Sequence, residues 1–252
     1  STLQNHGIYI DSTWEHNSVN VEIVDNWVLN STGGSGIQFN DAVGAGGSFT
    51  GARVHRNFVD YAAKSGIVCG SQFLSGDFYN NIIINAQQNA YRNTNVTNGT
   101  LAINFIHNTI RQKKFTSAYK YPINCGEDTR NSGTVNIKHN IIVLETGHDT
   151  CDGYATLNGS AYVLDENLYY DEGGIVSAPA GDTRKVTTNP NFTNTSTKDF
   201  TVTAGGGGLN ACTQAEAVAV AVDFFNMPRP VTGTGAPGGT KNDIGATEGI
   251  GT

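Results

Sequence analysis

Apolar and polar residues alternate along this chain in short bursts, and each burst is broken by an asparagine. IVDNWVLN places Asn26 between two apolar runs. VHRNFVDY does the same with Asn57, FYNNIIIN with Asn81, FIHNTIRQ with Asn108, IKHNIIVL with Asn140 and LDENLYYD with Asn167. The intervals are 31, 24, 27, 32 and 27 residues, and a weaker copy, TNPNFTNT, sets Asn191 another 24 on. Repeats of 20–50 residues indicate a solenoid, a propeller or an array.

With the asparagine as origin, the columns separate cleanly. Three residues before it stand Ile23, Val54, Phe78, Phe105, Ile137 and Leu164; five before it stand Val21, Ala52, Gly76, Ile103, Val135 and Tyr162. The column between them is mostly polar: Glu22, Arg53, Asp77, Asn104, Asn136 and Val163. Two after the asparagine the chain is apolar again, with Val28, Val59, Ile83, Ile110, Ile142 and Tyr169. Period-two alternation is a half-buried strand. Each copy therefore predicts a strand, a bend at the asparagine and a second strand.

A further strand precedes each pair and opens with glycine and an aliphatic residue: GIYID (7–11), GIQFN (36–40) and GIVCG (66–70). Later copies degrade to AYRNT (90–94), YPINC (121–125) and GYATL (153–157). Three short strands per repeat describe one coil of a parallel β-helix, stacked at roughly 4.8 Å. A WD40-type propeller needs about 40 residues per repeat, and the leucine-rich LxxLxL pattern is missing. The expected fold is all-β: a single right-handed parallel β-helix of six to seven coils over residues 1–186. Residues 187–252 form the last coil and an irregular C-terminal cap, because the repeat stops there and Gly and Pro take over. The asparagine is expected to take left-handed or bridge geometry at its bend. It should stack, buried and hydrogen-bonded, with its counterparts in neighbouring coils. The chain is already in strand pattern at residue 7, so the first coil is expected to be covered by a missing segment, another chain or another domain.

Composition narrows the class. The chain has 252 residues, 31 of them Gly, only 15% charged and a single Met, a turn-rich β composition. Its net charge is −7 with no Lys/Arg cluster, which excludes the basic footprint of a nucleic-acid binder. No run of 18 apolar residues marks a membrane span. Cys69, Cys125, Cys151 and Cys212 fit no zinc spacing. Cys125 and Cys151 lie about one repeat apart, as a disulfide or as small core thiols.

HGIYID, the IxxNxV repeat and the SGIQF starts resemble the parallel β-helix repeats of secreted carbohydrate-active proteins such as the pectate-lyase-like proteins. The tail NPNF…DFFNMPRP…DIGATEG is similar to the C-terminal end of many bacterial extracellular proteins. The resemblance implies an extracellular or cell-surface protein that binds or degrades a polysaccharide, with the glycan in a groove along the first sheet. The alternative is a non-catalytic adhesin, fibre or surface scaffold, since this fold hosts many functions.

A lyase needs a base and a cation that neutralises the uronate carboxylate. On the outer face of the first sheet, Tyr9, Gln38, Val68 and Arg92 are expected in one column, and Asp11, Asn40, Gly70 and Thr94 in the next. Arg92, Lys120 and Tyr9 are the candidate catalytic set, with Lys120 about one coil beyond Arg92. Asp11, Gln38, Asn40 and Trp14, in the 12–20 loop beside His16, are candidate substrate contacts. An outward Arg also serves solubility alone. Ca²⁺ is conceivable, but no acidic cluster converges in neighbouring coils. Asp165, Glu166, Asp171 and Glu172 read as a solvated acidic turn or a cation site. His55, His107 and His139 precede ladder asparagines and read as outward bend residues. His107 and His139 are in register, but two ligands do not make a metal site, and no metal is assigned. Among the aromatics Tyr61, Tyr79, Tyr91, Tyr169 and Tyr170, inward-facing rings belong to the core.

Overall fold

Period-two alternation holds in strands before the ladder asparagines, such as Ser75–Tyr79, whereas Ile82–Ile84 and Ile141–Leu144 are buried on both faces, and the chain wraps into three parallel sheets. The computed structural model describes residues 5–11, 17–40, 47–70, 73–93, 100–112, 122–124, 133–145, 161–173, 178–209, 211–212, 220–227, 229 and 243–247. The first sheet pairs Ile8–Asp11, Ile37–Asn40, Ile67–Cys69, Tyr91–Asn93 and Ile123–Asn124 in that order. The second runs from Glu22–Val24 through Ala52–His55, Ser75–Tyr79, Leu101–Ile106 and Gly133–Lys138 to Ala161–Asp165. The third runs from Trp27–Ser31 through Phe58–Ala62, Ile82–Ile84, Thr109–Gln112 and Ile141–Leu144 to Leu168–Asp171. The chain is a parallel β-helix. Five of its levels carry a described strand in all three sheets and a sixth in two, fewer than the six to seven full coils expected.

The expected register is the one observed. Glu22, Arg53, Asp77, Asn104, Asn136 and Val163 pair in one column, and the apolar positions on either side point inward. Ile23, Val54, Phe78, Phe105 and Ile137 are buried against Val59, Ile83, Ile110, Ile142 and Tyr169. Phe39, Phe49, Phe73, Phe78, Tyr91 and Phe105 form a run of rings with neighbouring centroids 5.1–6.2 Å apart. Such edge and offset contacts add to the stabilisation from area burial. The glycines that open the first-sheet strands are required by close approach. A Cβ on Gly36 would lie 2.6 Å from the Gly66 carbonyl and 2.5 Å from Val59 Cγ1; on Gly66 it would lie 2.7 Å from the Ala90 carbonyl and 2.4 Å from Ile83 Cγ2.

The asparagines form one continuous ladder. Asn57 shows its unit: its backbone N–H and its Nδ2 both donate to Asn81 Oδ1, at 3.1 and 3.0 Å, while Nδ2 also reaches the Ile23 carbonyl at 2.9 Å. The same double donation links Asn26 to Asn57, Asn81 to Asn108, Asn108 to Asn140, and Asn140 to Asn167. All but the half-buried Asn26 are fully buried. Donors point one way along the axis, so the last rung needs an acceptor. Asp182 supplies it: its Oδ2 receives Asn167 N–H at 3.1 Å, Asn167 Nδ2 at 2.8 Å and the Tyr169 hydroxyl at 3.2 Å.

The bend itself corrects the sequence expectation by one residue. The left-handed conformation belongs to the residue before each ladder asparagine: Asp25, Arg56, Asn80, His107, His139 and Glu166 have φ between 49° and 58°. The asparagines keep negative φ, and the turn at the preceding residue aims their amides along the axis. For Arg56 and Glu166 the strain is roughly 1 kcal/mol each, maintained by the bonds that the next residue makes.

The described part of the C-terminal region lies along the third sheet. That sheet's outward residues Phe58, Ile82 and Ile84 pack with Phe200 and Ala246, and Ile141, Val143 and Leu168 pack with Val202, Cys212 and Ile244. Phe192–Asn194 and Asp199–Val202 form an antiparallel pair within this cover.

Replacing Asn108 by Ala leaves the buried Asn81 N–H without its acceptor and Asn81 Nδ2 with the Val54 carbonyl alone. We expect a loss of about 2–4 kcal/mol in chemical denaturation, against a clearly smaller loss for Asn26→Ala at the half-buried end. Equal losses at both positions would contradict a ladder whose strength comes from burial.

Candidate functional site

The first-sheet column is as expected: Tyr9 pairs with Gln38, Gln38 with Val68 and Val68 with Arg92. Asn124 extends it beside Arg92, while Lys120 and Trp14 lie outside the described residues. Tyr9 is 48% exposed, Val68 and Asn124 are 7% exposed, and Arg92 between those two is half-buried. Three rungs separate Tyr9 from Arg92, about 14 Å at the usual strand spacing. Arg92 instead approaches Gln88, Nη1 to Oε1 at 3.5 Å.

At the first two levels the column opens into a hollow of about 760 Å³, lined by Asn5, His6, Tyr9, Gln38 and Asn40. Asp11 pairs with Asn40 at its edge and is exposed. His6 packs over Gly34, where a Cβ would come within 2.7 Å of its Nδ1, and that nitrogen accepts the Ser35 N–H at 3.0 Å. Its ring lies 5.2 Å from that of Tyr9, centroid to centroid. Burial, and then the Lys64 ammonium, hold the His6 pKa below its ordinary value. Burial, and then the Asp11 carboxylate, hold the Tyr9 phenol above its own. At neutral pH the hollow thus presents a neutral imidazole, a neutral phenol and three amides. A Tyr9 held protonated is a hydrogen-bond donor and stacking surface, and a poor proton acceptor.

The three other regions singled out in the sequence come out differently. The acidic run 165–172 is partnered: Arg184 makes a two-pronged contact with Asp165, Arg111 clasps Glu172 at 3.0 and 3.2 Å, and Glu166 and Asp171 are buried. This corrects the solvated turn, because the repeat cannot show that Arg184 and Arg111 reach these carboxylates. The histidines are buried as well. His55 stacks on Tyr79 at 4.5 Å and its Nε2 meets Glu22 Oε1 at 3.0 Å. His107 and His139 are fully buried, with ring centroids 5.0 Å apart. Tyr91 and Tyr169 are core residues, as their inward positions imply.

Sequence reasoning missed two features. Trp27, the residue after Asn26, is 63% exposed and stacked on Phe58 at 4.8 Å. Its outward register position was the available signal. Cys212 joins His107 and His139 from a distant segment, and no spacing could reveal that. Cys69 and Cys212 are buried thiols outside any disulfide, and Cys125 and Cys151 lie outside the described residues. Among the described residues no helix is long and apolar enough to cross a membrane.

A scan against protein-family models gives no match, and no curated protein is significantly similar to the chain.

In an NMR titration, His6 should titrate below the ordinary 6.5. The unfolded chain then takes this proton first, so the linked loss of stability begins as pH falls through 6.5 and is complete below the folded value. The Ser35 amide should shift with the same midpoint. A His6 midpoint at or above 6.5 would refute the buried, Lys64-facing placement.

Proposed function

We propose that this chain is an extracellular glycan-binding β-helix that holds a hydroxyl-rich polysaccharide across the first two levels of its first sheet. The observation that carries this reading is the hollow lined by Asn5, His6, Tyr9, Gln38 and Asn40, with the Tyr9 ring half exposed. An exposed aromatic face beside several amides is the chemistry that sugars engage: the ring covers the apolar face of a pyranose and the amides meet its hydroxyls. Amides and an aromatic ring, which meet sugar hydroxyls and a pyranose face without needing a charged partner, favour a neutral glycan over a polyuronate.

Lyase chemistry is the second reading, and it rests on Arg92. It would require a glycan long enough to span from Tyr9 to Arg92 and a base near Arg92. A surface-scaffold role draws instead on the exposed Val19, Trp27 and Leu29 of the first level, which suit contact with another chain.

Affinity electrophoresis against a panel of neutral and uronate polysaccharides tests these readings. Tyr9→Ala should weaken retention about tenfold, equivalent to ~1.4 kcal/mol, with circular dichroism unchanged; Gln38→Ala should weaken it less. Absence of retention on every glycan, or full retention by Tyr9→Ala, would remove the binding reading. Release of unsaturated product from a uronate polymer, lost in Arg92→Ala, would establish the lyase.

A further inference from the structure

The corner residues that precede the ladder asparagines form their own column, and its surroundings change along the axis. Asp25 and Arg56, at the first two levels, pair through Nε–Oδ1 and Nη2–Oδ2 contacts of 2.7 and 2.8 Å near solvent. From the third level on, the C-terminal segment covers the corner. Arg229 Nη2 donates to Asn80 Oδ1 at 2.9 Å and to the Gly245 carbonyl at 2.7 Å, and Gly245 N–H donates to the His139 carbonyl at 2.8 Å. Three donors converge under this cover: an imidazole nitrogen of His107, an imidazole nitrogen of His139 and the Sγ of Cys212, all within 4.8 Å of one another and all buried.

We propose that His107, His139 and Cys212 bind one borderline transition-metal cation of the Zn²⁺ class, which bolts the C-terminal segment to two successive coils. The donor set decides the class of metal. Two imidazoles and a thiolate suit Zn²⁺ or Co²⁺, whereas Ca²⁺ and Mg²⁺ need oxygen ligands. Metal–ligand distances of about 2.0–2.3 Å place tetrahedral donors roughly 3.3–3.8 Å apart, so binding requires a contraction of at most about 1.5 Å from separations that lie within 4.8 Å.

A second observation points the same way. Glu166, one level beyond His139 and 2% exposed, has its Oε2 3.1 Å from His139 Nε2. A carboxylate that engages one imidazole nitrogen fixes the ring and raises the basicity of the other, the usual support behind a metal-bound histidine. This assigns Nδ1 of His139 as the ligating atom. Arg184 Nε, 3.6 Å from Glu166 Oε1, holds the carboxylate from its far side. Left-handed backbone at His107 and His139 (φ 52° and 55°) directs both rings out of the coil interior into the covered corner. Cys212 also packs with Ile141, Val143, Leu168, Val202 and Ile244, so the bolt would sit beside the apolar seam that it secures.

The test uses the full chain, stripped with a chelator and titrated with Co²⁺ alone. One equivalent should give a thiolate-to-cobalt charge-transfer band together with tetrahedral d–d bands, and Zn²⁺ should bleach both. Cys212→Ser should abolish the charge-transfer band, and the Cys125→Ser/Cys151→Ser double variant should keep it. Zn²⁺ at about a hundredfold over its Kd should raise the thermal midpoint of the wild-type chain by roughly 5 °C or more. Co²⁺ giving no charge-transfer band in the wild-type chain, or a band that survives Cys212→Ser, would overturn the proposal. The wild-type titration decides the matter even if a histidine variant fails to fold.

Discussion

Each coil of this protein depends on one interaction, an asparagine amide that donates and accepts along the helix axis. From Asn57 to Asn167 each rung receives two hydrogen bonds at Oδ1 and passes two onward, so the ladder has a direction. A directed chain of donors cannot end on another donor inside a protein, because an unmet buried N–H costs about 1–3 kcal/mol. It ends on a buried carboxylate, Asp182, which only accepts. The corner geometry is fixed by the same requirement. Its residue identity can vary among Asp, Arg, Asn, His and Glu, because the ladder asparagine that follows holds the left-handed turn in place. Insertions are then free to fall between the first and second strands, away from the corner.

The inward face of the coil is uniform, and the outward faces are what differentiate the molecule. On the second sheet, Asp77, Asn104 and Asn136 link side chain to side chain at 2.7 Å and stay near water. On the third sheet, Phe58, Ile82, Ile84, Ile141, Val143 and Leu168 are apolar and need the C-terminal segment as cover. An uncovered sheet face of that composition would be an association surface. The first sheet lies between these extremes, exposed at Tyr9 and buried at Val68, and the hollow beside Tyr9 is where a ligand can reach amides and an aromatic ring together.

Those differences explain what was legible in the sequence. The ladder and the columns around it follow from period and chemistry, which are local and repeated, and the observed pairing of Glu22, Arg53, Asp77 and Asn104 matches the columns read from the repeat. The left-handed residue was misplaced by one position. Asparagine's own tolerance for that conformation is a single-residue argument, whereas the need to aim an amide along the axis is a stacking argument, and stacking wins. His55, His107, His139 and Glu166 were read as solvent-facing because their direction out of the coil is encoded in the repeat. His55 is covered within the repeat by Tyr79, its register partner in the next coil, while the groups that meet the others come from outside it: Cys212, Gly245 and Arg184. A lone cysteine in a non-repeating tail carries no spacing signal.

The same asymmetry separates the two proposed sites physically. Cover over the corner begins at Asn80, and the third sheet is covered over Phe58 and beyond, while Trp27, Leu29 and Tyr9 remain exposed at the first level. The glycan hollow is built from levels one and two, and the His107–His139–Cys212 cluster from levels four and five and the tail. They share no residue and lie on different sides of the coil, one on the first sheet and one at the corner between the second and third. A structural bolt at the closed end would stiffen the stack without touching the ligand. Metal loading should therefore change thermal stability and leave glycan affinity unaltered, whereas coupling between the two would require the rigid ladder to transmit strain over two to three levels. Each ladder link is a short, doubly bonded contact, and the interior on either side of it is close-packed with aromatic rings. Nothing in these contacts links the hollow to the corner cluster except the ladder itself, and this argues for independent sites.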